Sequence, residues 1–237
     1  MEEFVRAAAS LGLAAALLAC NCAYADARPT VIELYTAEGC SSCPPAEALL
    51  GNIASRTDVI ALALHVDYWD GDGWADKYAL RVATQRQNQY ARALHRSGVA
   101  TPQFLIDGAR DIEGTNRDAI TAAAKEAADG VPIELSIADA RLRIALGAAA
   151  GAERCDVLLF AYLPRAVSKI YRGANKGRTL EEFNIVRTVL RVDDWNGQAK
   201  SLDVPLAKLP ADATHLAVIV QRAGPGPIVG AAQIARP

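Results

Sequence analysis

The sequence predicts an α/β domain followed by a small antiparallel β domain of sandwich-like type, and three observations support this. Between residues 30 and 129, short apolar runs alternate with helical stretches, which favours a partly parallel sheet. From residue 133 onward, apolar residues recur at every second position, as in antiparallel strands. The segment Gly130-Val131-Pro132 separates the two patterns. We therefore expect a first domain over 26–130 and a β-rich domain over 131–237.

Each element of the first domain has its own signal. Strands are predicted at 31–35, 59–66, 104–106 and 110–113, and helices at 44–53, 77–95 and 117–128. Pro44 and Pro45 fit only the first turn of a helix, where the missing N–H removes no hydrogen bond. Asp107-Gly108 predicts a hairpin turn, and Asn116 is a good N-cap. In the second domain, strands are predicted at 134–137, 141–144, 156–162, 185–192, 215–220 and 228–234.

The N-terminal segment predicts export. Residues 7–20 carry no charge and are too few to span a bilayer, and Ala23-Tyr24-Ala25 fits a signal-peptidase site. We expect a signal peptide over 1–25, a periplasmic or secreted protein, and no stable membrane span after cleavage. Glu2 and Glu3 are unusual in the first segment of a signal peptide, where positive charge is expected. A buried N-terminal helix is an alternative that these acidic residues also fit poorly, and Cys20 leaves open a lipoprotein anchor. The net charge of −2, without a basic patch, argues against nucleic acid as a partner.

This cleavage would leave three of the five cysteines in the chain, because Cys20 and Cys22 belong to the signal peptide. An odd number excludes a framework made only of structural bridges within the chain. Cys155 opens an apolar run, which predicts a buried, inert thiol.

The motif Cys40-Ser41-Ser42-Cys43 follows a predicted strand and opens a predicted helix. The positive end of a helix stabilises a thiolate, which is the form that attacks disulfides. We expect Cys40 to be an exposed nucleophile and Cys43 a buried resolving thiol. An inert structural disulfide, a metal half-site and a chance occurrence are the alternatives.

A second motif, Thr101-Pro102, stands directly before the strand predicted at 104–106. Its place resembles the cis-proline loop of the thioredoxin fold, so we expect a cis peptide bond here. The resemblance implies that Thr101 and Pro102 face the disulfide and offer backbone groups to an extended substrate.

Five longer segments carry a wider resemblance: VIELYTAEGCSSCPPAEALL, HVDYWDGDGW, TQRQNQYARAL, TPQFLIDG and RGANKGRTLEEFNIVR. Together they cover much of the chain after residue 30, and they resemble DUF1223, a bacterial family of secreted thioredoxin-like proteins. The resemblance implies a thioredoxin-like fold for 26–130, but the family name specifies no activity.

One position departs from thioredoxins, which carry a buried Asp six residues before the first Cys as a proton acceptor. Leu34 stands there, and Glu33 is one residue away, which points it to the other face of a strand. His65, Asp67 or Glu38 are candidate replacement bases, although His65 also fits an ordinary buried histidine. The aromatics of the same loop, Tyr68, Trp69 and Trp74, predict either a substrate wall or loop packing.

Two polar segments have less specific interpretations. One lies on the helix predicted at 77–95, and we expect its polar side chains to face solvent rather than to cap the site. These side chains are Gln85, Arg86, Gln87 and Tyr90. The loop 172–178 is glycine-rich and basic, which favours a simple turn over an anion site or a contact with the first domain.

These observations favour a thiol–disulfide oxidoreductase acting on protein or small-molecule thiols and disulfides, with Cys40, Cys43, His65, Thr101 and Pro102 as site residues. No cofactor is expected. One alternative is a copper chaperone that uses both cysteines and His65, since thiolates and imidazole suit Cu(I). Another is a non-catalytic binding module whose disulfide only locks a loop.

Overall fold

The computed structural model describes residues 27–71, 73–126 and 128–236, so the predicted signal peptide lies outside the described residues. Two main sheets organise it: a mixed eight-stranded sheet and a three-stranded antiparallel sheet. The helices are α1 Pro44–Ala54, α2 Arg81–Ala93 and α3 Arg117–Ala123. The strands up to residue 129 are β1 Ala27–Arg28, β2 Thr30–Thr36, β3 Val59–His65, β4 Gln103–Ile106, β5 Arg110–Glu113 and β6 Ala128–Asp129.

The second half is built of strands and one short 3₁₀ turn, Leu206–Lys208. Its strands are β7 Ile133–Ala138, β8 Arg141–Leu146, β9 Cys155–Lys169, β10 Thr179–Trp195, β11 Lys200–Pro205, β12 His215–Arg222 and β13 Ile228–Ala235. β9 and β10 extend well beyond their predicted lengths, and β11 was not predicted. The first half keeps the predicted order of strands and helices.

The main sheet runs in the order β13-β12-β9-β10-β3-β2-β4-β5. β2 and β10 both pair parallel with β3, and the remaining neighbours pair antiparallel. β1 and β6 form a separate two-stranded ribbon. The predicted Asp107-Gly108 turn joins β4 to β5, and both of its residues have positive φ, 49° and 67°.

The prediction of a separate sandwich after residue 130 needs correction, because β9, β10, β12 and β13 continue the sheet of the first half. The junction is the parallel pairing of Ile185 with Ala63, and the side chain of Asn184 donates a hydrogen bond to the Ala61 carbonyl. β12 is buried along six consecutive residues, so it needs cover on both faces. Only β7, β8 and β11 form a second layer, packed on one face of these strands.

Helices cover the N-terminal part of the main sheet on opposite faces. α1 and α3 pack with Ile32 and Leu34 of β2. α2 packs on the other face, with Val31 and Tyr35. Successive residues of a strand point to opposite faces, so Glu33 lies on the α2 side, as predicted from its offset. Within the described residues, no helix is long and apolar enough to cross a membrane.

Candidate redox site

A disulfide joins Cys40 and Cys43 at the start of α1, directly after β2. Cys43 is the N-cap residue, and its carbonyl accepts hydrogen bonds from the N–H groups of Ala46 and Glu47. Pro44 and Pro45 occupy the first turn, as predicted. The pair therefore lies at the positive end of a helix, where a thiolate gains electrostatic stabilisation.

The prediction that Cys40 is exposed is wrong, because both cysteines have only 1% of their surface exposed. Trp69 covers the turn before Cys40 and comes so close to Gly39 that a Cβ there would lie 3.2 Å from the Trp69 Cβ. From the second half of the chain, the buried Asn175 amide donates hydrogen bonds to the carbonyls of Glu38 and Cys40, at 2.8 and 2.9 Å. The loop 172–178 thus contacts the Cys40 turn, the less favoured of its predicted roles.

The Thr101–Pro102 peptide bond is cis, which confirms that prediction. Trp69 connects this loop to the cysteine turn, because its indole N–H donates a 2.8 Å hydrogen bond to the Thr101 hydroxyl. Thr101 is half-buried and Pro102 is buried. Their contact with a substrate stays a prediction.

His65 ends β3 and is buried. Its Nδ1 lies 2.7 Å from Oδ2 of Asp76. The same oxygen accepts a hydrogen bond from the Glu38 N–H, and Oδ1 of Asp76 accepts one from the Tyr78 N–H. Burial lowers the pKa of His65, but the Asp76 carboxylate outweighs this and raises it to about 9. Burial alone raises the pKa of Asp76, and the imidazolium brings it below its usual value. A buried ion pair therefore fixes the ring.

A cavity of about 320 Å³ opens between α1 and β10, with Cys43 and His65 in its wall. Three buried glutamates also line it: Glu38, Glu47 and Glu182. Ala48, Asn52, Thr179 and Glu181 line the same cavity and are exposed, so it reaches the surface.

Several polar atoms of this cavity wall have no hydrogen-bond partner among the described residues. They are Glu38 Oε1, both carboxylate oxygens of Glu47, His65 Nε2 and Glu182 Oε1. The second oxygens of Glu38 and Glu182 do have partners, the Trp74 indole N–H at 2.6 Å and the Ser168 hydroxyl at 2.7 Å. Glu38, Glu182 and His65 are therefore each fixed by their other polar atom, whereas both oxygens of Glu47 are without a partner among the described residues.

The pKa values of Glu47 and Glu182 are raised by their surroundings. Burial raises the pKa of Glu182 to about 7, although His65 and the Ser168 hydrogen bond oppose the shift. Burial also raises the pKa of Glu47, against the attraction of His65, whose Nε2 lies 3.9 Å from Glu47 Oε1. The Glu182 carboxyl group, in the same cavity wall as Cys43, can consequently hold a proton near neutral pH.

The other predicted bases and aromatics have different surroundings. The Asp67 carboxylate accepts a hydrogen bond from the Thr84 hydroxyl and does not line the cavity of Cys43. Tyr68 is partly exposed and donates to Gln87, whereas Trp74 donates to Glu38. The aromatics thus do not form one wall, and of the three it is Trp69 that covers the Cys40 turn.

The prediction of a solvated face on α2 is wrong for Arg86, Gln87 and Tyr90, which are buried, although Gln85 is exposed. Arg86 donates two hydrogen bonds to the fully buried Glu33 carboxylate, at 2.6 and 3.1 Å. The Tyr90 hydroxyl donates to the same carboxylate, and Gln221 of β12 joins the network. This ion pair ties α2 to both halves of the main sheet.

Four residues of the site were not found from the sequence: Glu47, Asp76, Asn175 and Glu182. Glu47 had a usable signal, since it follows Cys43 by four residues on a predicted helix and so shares its face. Asp76, Asn175 and Glu182 bond at the site to residues of other elements, which the sequence does not show to be close: His65, the Cys40 turn and Ser168. The predicted burial of Cys155 is confirmed; it is a free thiol in the core of the second half.

The donors are not arranged as a metal centre. Over residues 27–71, 73–126 and 128–236, no group of three or more His, Cys, Asp or Glu side chains is placed to hold an ion. In the oxidised form both cysteine sulfurs are bonded to each other, and the Nδ1 of His65 faces Asp76.

Comparison with known proteins places the chain in a family. No curated protein matches it. One similar solved structure is protein AGR_C_4864 from Agrobacterium tumefaciens, with 30% identity and a TM-score of 0.74, covering 89% of this chain and 95% of that one. HBP35 of Porphyromonas gingivalis is similar in fold, with 16% identity and a TM-score of 0.60, covering 89% and 76%. The family model described as "Protein of unknown function (DUF1223)" matches residues 31–221, and the chain therefore belongs to the DUF1223 family.

Proposed function

We propose that the protein is a thiol–disulfide oxidoreductase with a thioredoxin-like redox unit, in which Cys40 is the nucleophile and Cys43 the resolving thiol. The observation that carries this proposal is the Cys40–Cys43 disulfide at the N-terminus of α1, linked through Trp69 to the cis Thr101–Pro102 loop. A purely structural bridge requires neither a helix N-terminus nor this loop.

Its substrates are thiols and disulfides of proteins or small molecules, and its site of action is outside the cytoplasm, as the predicted signal peptide over 1–25 implies. Thiol–disulfide exchange needs a sulfur that a second sulfur can reach in line. Because Cys40 is buried under Trp69 and Asn175, the turn must open before a substrate reacts. The protein should therefore react with substrates that displace Trp69 and the Asn175 loop, or only while these two are already displaced.

Turnover of a small disulfide tests the proposal. The wild-type protein should catalyse glutathione-dependent reduction of a model disulfide, and Cys40→Ser should abolish it. Cys43→Ser should instead accumulate a mixed disulfide on Cys40. Cys155→Ser is the matched control and should keep full activity. Equal rates for wild type and Cys40→Ser would contradict the proposal.

Copper binding by Cys40, Cys43 and His65 requires the reduced protein, because the disulfide occupies both sulfurs; His65 would offer Nε2, since its Nδ1 is paired with Asp76. It remains a prediction for the reduced protein. Titration of reduced wild type and His65→Ala with Cu(I) measures it, and equal affinities would exclude His65 as a ligand.

A further inference from the structure

We propose that Glu47 and Glu182 form the proton-exchange site of Cys43, donating a proton when the disulfide opens and accepting it when the disulfide closes. The inference rests on the proposed function and goes beyond it, since it identifies residues from both halves of the chain as the acid and base of the redox step. Neither residue stands at the position where thioredoxins carry their acid, which is Leu34 here.

Glu47 and Glu182 border the same cavity as Cys43. Glu47 follows Cys43 by one turn of α1, and Glu182 lies on β10, against which α1 packs. Gly51 permits this packing, because a Cβ there would lie 2.6 Å from the Phe183 ring. Cys43, Glu47 and Glu182 line one cavity. Cys43 and both glutamates therefore border one common space, which is the path that we assign to the proton.

These carboxyl groups have oxygens that could accept hydrogen bonds but lack donors of suitable geometry. Among the described residues, both oxygens of Glu47 and one of Glu182 are buried without a hydrogen bond of ordinary geometry, and only weaker contacts from the Thr36 hydroxyl and the Phe183 N–H reach Glu47. An ionised, buried carboxylate without partners is costly, whereas a protonated one is far less so. The site therefore favours bound protons, which is what an acid next to a leaving thiolate requires.

Charged groups from several elements face Glu47 and Glu182. Glu38 from the cysteine turn, His65 from β3 and Asp76 from the following loop surround them, and Ser168 of β9 holds one Glu182 oxygen. His65 is the one cation in this set, and it is paired with Asp76. Burial then keeps the pKa of Glu182 near 7, within the working range of thiol exchange.

Opening and closing of the disulfide move one proton between Cys43 and a carboxyl group. In opening, a substrate thiolate attacks Sγ of Cys40, the Cys40–Cys43 bond breaks, and the Cys43 thiolate takes a proton from the carboxylic acid. The substrate sulfur is oxidised to a mixed disulfide, and Cys43 is reduced. In closing, the Cys43 thiol returns the proton to the carboxylate, its thiolate attacks Sγ of Cys40, and the substrate leaves as a thiolate.

The test is the pH profile of Cys43 alkylation by iodoacetamide in the full-length Cys40→Ser protein, quantified on the Cys43 peptide by mass spectrometry. With both glutamates present, we expect a profile that contains two coupled ionisations. Glu47→Gln combined with Glu182→Gln should remove the second ionisation. It should also lower the pKa of Cys43 by about one unit, roughly a tenfold gain in thiolate below that pKa, because nearby negative charge is lost.

The matched control is Glu181→Gln, which changes an exposed carboxylate at the rim of the same cavity and should leave the profile unchanged. If the double variant does not fold, each single variant should lose part of the second ionisation. An unchanged Cys43 profile in folded Glu47→Gln and Glu182→Gln proteins would overturn the inference.

Turnover of the model disulfide separates the two proposals. Turnover with an unchanged Cys43 profile contradicts the proton-exchange site alone. A changed profile in a protein without turnover contradicts the oxidoreductase function and leaves the proton coupling of Cys43 in place.

Discussion

Two clusters of buried charge lie on opposite faces of the same sheet, and they are built in opposite ways. On the α2 face, the Glu33 carboxylate has three donor groups around it, from Arg86 and Tyr90. On the α1 face, Glu47 and Glu182 line a cavity beside Cys43 and keep oxygens without partners. A satisfied cluster holds the halves of the chain together, whereas an unsatisfied one can exchange protons.

The largest expected effect comes from breaking the satisfied cluster. Arg86→Met leaves the Glu33 charge buried without its partner, so the free energy of unfolding should fall by about 3–5 kcal/mol. Urea denaturation measures it. The control is Arg165→Met, which breaks the exposed pair with Glu181 and should cost no more than about 1 kcal/mol. Equal losses in the two variants would mean that the Glu33–Arg86 pair is not a structural link.

The next effect concerns the unsatisfied cluster and depends on pH. The pKa of Glu182 is raised from near 4.5 to about 7 in the folded protein, so the folded state holds a proton that the unfolded chain releases. Stability should therefore fall as the pH rises from about 4.5 through about 7, by up to roughly 3 kcal/mol. Glu182→Gln removes this term and should be more stable than wild type at pH 8 but not at pH 4.

Denaturation of wild type, Glu182→Gln and Glu181→Gln at these two pH values measures the difference. Because Glu181 is exposed, the stability of Glu181→Gln should depend on pH as that of wild type does. If Glu182→Gln also keeps that dependence, Glu182 is not the group that holds the proton.

A smaller effect is expected from the cover of the site. Asn175→Ala removes two hydrogen bonds to the carbonyls of Glu38 and Cys40, so it should cost roughly 1–2 kcal/mol. It should also speed the reduction of the Cys40–Cys43 disulfide by dithiothreitol several-fold, since the turn opens more readily. Lys176→Ala changes an exposed neighbour and should alter neither quantity. Unchanged reduction kinetics in Asn175→Ala would show that this loop does not restrict access.

The smallest effect is expected at the proline loop. Thr101→Val removes the acceptor of the Trp69 indole N–H and should cost about 1 kcal/mol. Reduction by dithiothreitol should become slightly faster, because Trp69 is held less firmly over the Cys40 turn. Thr115→Val, at an exposed position, is the control. A Thr101→Val protein as stable as wild type would remove Trp69 from the set of residues that hold the site closed.

Features that depend on local chemistry could be predicted from the sequence. The Cys40–Cys43 motif and the Asp107-Gly108 hairpin follow from neighbouring residues, and the cis Thr101–Pro102 bond follows from the resemblance of its loop to the thioredoxin fold. Their partners could not be read in the same way. Arg86 meets Glu33 across 53 residues, and Gln221 across 135. On a helix with mixed polar residues, a buried arginine looks like a solvated one until its partner is known.

The strands after residue 130 show on a larger scale that long-range pairing cannot be predicted from local sequence. Strand periodicity after residue 130 predicts every strand of this part except β11, but it does not say which sheet they join. The parallel pairing of Ile185 with Ala63 decides that, and it brings Glu182 beside α1. The proposed proton site could not be found from the sequence, because one of its carboxyl groups is placed by this pairing.

The most direct test of the account is a redox titration of the Cys40–Cys43 pair in glutathione buffers of increasing oxidising strength, with the oxidised fraction measured by peptide-resolved mass spectrometry. The account predicts a reversible two-electron titration, with mixed disulfide forming on Cys40 in the Cys43→Ser protein. A pair that stays oxidised in every buffer, with no mixed disulfide on Cys40, would show an inert structural bridge and contradict it.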